Sequence, residues 1–168
     1  MSAERVLCKV FDILDVGKPD MSVFNNRLKY QKIVYLLQSL TGLSLGYGFN
    51  WYLKGPYSSS LAHTLYFIQD SPTVYKQSQK ITFKQNKEVM SKLEEFKEKL
   101  GASIDDPLYL EILASLHYID MTDFSGNGSL EQLEERLIDV KPYTSENKKI
   151  IEKAYKDLRD YKNYAISG

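Results

Sequence analysis

The spacing of apolar residues gives the first outline of this chain. In AERVLCKVFDILD, Val6, Leu7, Val10, Phe11 and Leu14 recur at three- and four-residue intervals, which predicts an amphipathic helix. Gly17 and Pro19 follow and break it. In NNRLKYQKIVYLLQSLTG, the stripe of Tyr30, Ile33, Val34, Leu37 and Leu40 is widened by Leu28, Tyr35 and Leu36. A stripe that wide predicts a central helix. Asn25 or Asn26 is its expected cap and Gly42 its expected stop. Arg27, Lys29, Gln31, Lys32 and Gln38 form its expected polar side.

The period then changes from helical to alternating. Phe49, Trp51 and Leu53 alternate with Asn50, Tyr52 and Lys54, a strand pattern that Gly55-Pro56 should end. Ser58 or Ser59 can cap a helix through SSLAHTLYFIQ, stopping before Asp70-Ser71-Pro72. TVYKQSQKITF offers two further strands, Val74–Gln77 and Lys80–Phe83, on the strand preference of its β-branched and aromatic residues.

Helical patterns return for the rest of the chain. Val89, Leu93, Phe96 and Leu100 share a face ending at Gly101. Asp106-Pro107 opens a helix that is apolar nearly all round and therefore expected to be buried. Ser129 and Gln132 form a capping-box pattern, and Thr144 opens a last helix carrying Ile151, Tyr155, Leu158 and Tyr161. The expected fold is mainly α within the α+β class, a helical domain with a small three-stranded antiparallel sheet, of which a winged helix is one arrangement. No repeat, low-complexity tract or long linker divides it, so one domain over residues 1–168 is expected.

Composition narrows the function classes. The chain has 22 basic and 22 acidic residues. Residues 1–83 hold nine Lys or Arg against five Asp or Glu, and the remainder holds 13 against 17. This mild polarity falls short of a basic nucleic-acid-binding domain. No apolar stretch is long enough to span a bilayer and no secretory signal pattern opens the chain. Cys8 is the only cysteine, which excludes an intramolecular disulfide and fits a reducing compartment; the cytoplasm is the expected location.

Candidate chemistry is sparse. His63 and His117 are the only histidines, and neither has a metal-ligand companion four residues on. Gly126-Asn127-Gly128 lacks the dinucleotide fingerprint, and no Gly-x-Ser-x-Gly elbow is present. No catalytic residue, metal site or cofactor is expected. Thirteen tyrosines are unusual, and eight aromatics fall between Tyr47 and Tyr75. The run NWYLKGPYSSSL concentrates an aromatic strand, a tight corner and a capped helix. Lys54, Tyr57 and Ser58 near a helix start could hold an anion, but the run lacks the glycine density of a phosphate loop, so its role is read as architectural.

Lys29, Gln31, Lys32 and Tyr35 in LKYQKIVYLLQ, followed by Gly55, Pro56, Tyr57 and Ser58 after an aromatic strand, carry a family resemblance. The chain resembles the YwgA-like family of small uncharacterised prokaryotic proteins, and more distantly the Panacea or SocA-like antitoxin domain. The similarity extends through LEILASLHYID and the last helices. It implies a non-enzymatic protein-interaction or regulatory module of antitoxin-like kind, whose partner is another protein such as a toxin. The expected partner-binding residues are Trp51, Tyr52, Lys54, Gly55, Pro56, Tyr57 and Ser58. The alternative is a winged-helix-like nucleic-acid binder using Lys29, Lys32, Lys54, Lys76 and Lys80 on phosphates. An unrecognised enzyme is the third reading, and a membrane partner is not expected.

Overall fold

A computed structural model describes residues 2–167, with side chains described through residue 161. Eight α-helices and one β-hairpin make up the described chain. Helices α1 (Ala3–Leu14) and α2 (Phe24–Thr41) lead into β1 (Asn50–Tyr52) and β2 (Gly55–Tyr57). Then come α3 (Ser59–Asp70), α4 (Pro72–Ser78), α5 (Lys87–Leu100), α6 (Pro107–Asp123), α7 (Leu130–Val140) and α8 (Lys148–Ser167). Short 3-10 turns at Gly101–Asp105 and Pro142–Glu146 precede α6 and α8.

Helices α2 and α6 form the centre. They pack on each other, and α8 packs on both. Ile33, Val34, Leu36 and Leu37 of α2 and Leu110, Ile112, Leu113 and Leu116 of α6 have no exposed surface. Apolar residues surround the middle of each helix, so neighbours enclose them there on several sides, while the first turn of α2 and the last of α6 reach the surface. On one side α1 packs against α4, α5 and α3. A single hydrophobic cluster runs from Leu7 to Tyr161. The mainly helical fold with a small antiparallel sheet is as the sequence predicts.

Local signals fix most helix ends. Ser58 accepts from the Leu61 amide, Asp106 from Leu108 and Tyr109, and Ser129 closes a reciprocal capping box with Gln132. Gly42 ends α2 at φ +77°. Two ends differ from expectation. Helix α2 starts at Phe24 after Val23, so Asn25 and Asn26 lie in its first turn; the Asn26 amide instead reaches the Asp20 carbonyl. Helix α8 begins at Lys148, because Thr144 is drawn into the preceding 3-10 turn by its hydrogen bond to the Lys141 carbonyl.

The sheet has two strands, not three. β1 and β2 pair antiparallel with Asn50 opposite Tyr57, Trp51 opposite Pro56 and Tyr52 opposite Gly55. Gly55-Pro56 thus lies inside the second strand instead of ending the first; a proline is tolerated there because a two-stranded ribbon has only edges. The predicted strand Val74–Gln77 is part of α4, and of Lys80–Phe83 only Lys80 lies in a turn, the other three residues being irregular. Pro72 at the first helical position presets the helical φ, and Val74 packs against the core. Packing on α1 outweighs the strand preference of the side chains.

Candidate functional site

Helix α2 acts as a clamp on the chain that follows it. The Gln31 side chain donates to the Ser58 carbonyl at 2.8 Å and accepts from the Ser58 amide at 2.9 Å. Lys32 Nζ donates to the Pro56 carbonyl at 2.7 Å. Two turns further along, Gln38 Oε1 accepts from the Leu45 and Tyr47 amides at 3.1 and 3.2 Å, while its Nε2 donates to the Tyr47 carbonyl at 2.9 Å. Gln31 and Gln38, seven residues apart, lie on one side of the helix. They satisfy backbone groups that form no ladder bonds of their own. Gln31 and Lys32 are each 2% exposed, so the expectation that they belong to a polar outer side is corrected. Lys32 stands four residues from both Leu28 and Leu36, on the buried stripe.

Under the hairpin lies a buried charge cluster. Lys141 Nζ is 3.1 Å from Glu111 Oε2 and donates to the Leu53 carbonyl at 2.8 Å. The Tyr143 hydroxyl donates to the same Glu111 carboxylate. Lys141 and Glu111 are almost fully enclosed. Among the described residues Lys32 has no ion pair, and its one hydrogen-bond partner is the Pro56 carbonyl. Burial pushes its ammonium down to about 7, Lys141 pushes the same way, and Glu111 opposes them. Burial also lowers the Lys141 ammonium, against the pull of Glu111. Beside them the buried Ser115 hydroxyl has no hydrogen-bond partner among the described residues. A Cβ on Gly55 would lie 2.7 Å from that hydroxyl, and Gly55 sits at φ +96°. Only glycine satisfies both the backbone and the contact.

Above this cluster opens a cleft of about 390 Å³ between α2, α3 and the hairpin. Phe24, Leu28, Tyr52, Leu53 and Tyr66 supply apolar wall, and Arg27, Lys32 and Lys54 supply its charge. No Asp or Glu lines it among the described residues. Large apolar side chains stand exposed around it. Leu53 at the hairpin tip is 92% exposed, and Phe24 and Tyr52 are each about half exposed. A patch of this kind marks an interaction surface more often than a plain solvated face.

The structure divides the seven residues expected to bind a partner. Tyr52, Lys54, Gly55 and Tyr57 line the cleft. Trp51 is half-buried, packing on Tyr118 at 5.4 Å between ring centres with Lys141 Nζ 5.3 Å from its ring. Pro56 and Ser58 are buried, the first held by Lys32 and the second by Gln31. These three support the surface from behind. The five lysines expected to contact phosphates are scattered. Lys32 is buried, Lys29 pairs with Asp105 at 2.5 Å, Lys54 stands 4.9 Å over the Tyr143 ring, and Lys76 and Lys80 belong to the region of α4. Sequence reading passed over Glu111, Lys141 and Tyr143. An acidic residue in an otherwise apolar helix was the available signal for Glu111.

The two histidines lie in different surroundings. His63 is exposed. His117 lines a second cleft of about 320 Å³ with Asp120 and Arg159, and its Nδ1 is 2.7 Å from the Tyr35 hydroxyl. Burial pushes the His117 imidazole down to about 4, with Asp120 opposing. Asp120 is occupied as a brace. One oxygen accepts from the Gly128 amide and the other from Arg159, each at 2.8 Å. Gly126-Asn127-Gly128 is thereby a turn tied to α6 and α8. Cys8 is buried, and burial raises its thiol to about 11, the opposite of an activated nucleophile. No group of three or more His, Cys, Asp or Glu side chains able to hold a metal occurs among the described residues, and no helix among them is long and apolar enough to cross a membrane. Compared with family models, curated proteins and solved structures, the chain matches none.

Proposed function

We propose that this protein is a non-enzymatic interaction module that docks a segment of another protein in the cleft between α2, α3 and the hairpin. The observation that carries the reading is the cleft itself: apolar walls, cationic lining and no acid, framed by exposed Leu53, Phe24 and Tyr52. Exposed aromatics over a rigid support are favoured anchors for a partner, because they bury large area and lose little side-chain entropy. The support is rigid because Gln31, Lys32 and Lys141 hold the hairpin backbone from below. The family resemblance of the two motifs makes a growth-inhibiting protein the first partner to examine.

The test is co-purification of the tagged chain from its own host beside a Phe24→Asp, Leu53→Asp double variant. A stoichiometric partner held by the unaltered chain and lost from the variant supports the reading. Absence of any such partner, or its equal retention by the variant, overturns it.

A further inference from the structure

The floor of the cleft holds a lysine with no carboxylate of its own among the described residues. Lys32 and Lys141 face a single carboxylate, Glu111, and that carboxylate is already engaged by Lys141 and Tyr143. An ammonium has three donors, and one of those of Lys32 goes to the Pro56 carbonyl. The side chain is 2% exposed, so bulk water does little to stabilise its charge. Arg27 and Lys54 add positive potential to the same cleft.

We propose that the docked segment is the free C-terminal end of a partner chain, an apolar last residue whose carboxylate pairs with Lys32; this rests on the docking reading above. A terminal carboxylate sits on the backbone next to its own side chain. One residue therefore meets the buried ammonium and fills the wall of Phe24, Leu28 and Tyr66 together. An internal Asp or Glu would drag two flanking peptide groups into apolar surroundings, where each needs a partner.

The experiment titrates the full chain with acetyl-Gly-Leu-Phe as the free acid and as its C-terminal amide, followed by NMR. The two probes differ only at the terminal group, an anionic carboxylate against a neutral carboxamide. The acid should bind about tenfold more tightly than the amide, the scale of one charge-assisted hydrogen bond, and shift the Gly55 and Tyr57 amides. In Lys32→Met the two affinities should converge. The comparison within the unaltered chain stands even if that variant folds poorly. Equal binding of acid and amide, or binding of neither, overturns the carboxylate anchor. The docking reading is judged separately by the Phe24→Asp, Leu53→Asp variant, so either can fail without the other.

Discussion

Gln31 holds Ser58 by both of its backbone groups, 27 residues along the chain, at 2.8 and 2.9 Å. This two-point contact sets where the hairpin ends and where α3 begins, since Ser58 is also the cap of α3. Gln31→Ala leaves the buried Ser58 N–H without a partner, whereas the Ser58 carbonyl keeps the Ala62 amide. The expected loss of stability is about 1–3 kcal/mol. Urea unfolding measures it, and amide exchange at Ser58 and Tyr57 should accelerate more than exchange within α6.

Gly55→Ala should cost about 3 kcal/mol, from a left-handed backbone conformation unfavourable to alanine and from the 2.7 Å approach to Ser115 Oγ. The two causes can be separated. Adding Ser115→Gly removes the contact and leaves the dihedral strain, so thermal unfolding of the double variant should recover only part of the loss.

Lys32 gives the folded chain a distinctive pH response. Its ammonium titrates near 7 in the folded state and near 10.5 when unfolded. Between those values the unfolded chain binds more protons, so stability rises with pH. Below about 7 both states are protonated and the cost of burying the cation is fully present. Lys141 acts in the same direction. Tyr30, raised from 10 to about 12, opposes the trend at the alkaline end, because its hydroxyl ionises first in the unfolded chain. Unfolding free energies at several pH values between 7 and 10 should climb in the unaltered protein and climb less steeply in Lys32→Met. An unchanged slope would contradict the placement of Lys32.

At the acid end the governing group is His117, held down to about 4 from 6.5 by burial. The unfolded chain takes up its proton as pH falls below 6.5, while the folded chain resists until about 4. The contribution of neutral His117 is therefore lost across that window, by about 2 kcal/mol once partial exposure of the ring is allowed for. His117→Gln can still hydrogen-bond to Tyr35, and the variant should show a flatter stability profile between pH 4 and 6.5.

Legibility followed the range of the interaction that decides each feature. The caps at Ser58, Asp106 and Ser129 and the stop at Gly42 were readable because the deciding bonds span two to four residues. The segment Pro72–Ser78 was misread because its strand-prone side chains are overruled by packing on α1, a contact absent from any local window. Lys32 was assigned to a solvated side by its charge, although its spacing from Leu28 and Leu36 placed it on the buried stripe. The cluster at the floor was hidden for the same reason. Lys141 meets Glu111 across 30 positions and the Leu53 carbonyl across 88. Four of the seven residues chosen from the aromatic run line the cleft.

The bond from Lys141 to the Leu53 carbonyl also bears on how the molecule is made. Ribosomes release the hairpin long before residue 141, yet the cation that steadies its tip arrives only with the last fifth of the sequence. A nascent polypeptide therefore exposes Trp51 to Tyr57 without their eventual underpinning. The hairpin's underpinning is gained late, and a product cut short before residue 141 would keep the motif and lack that support.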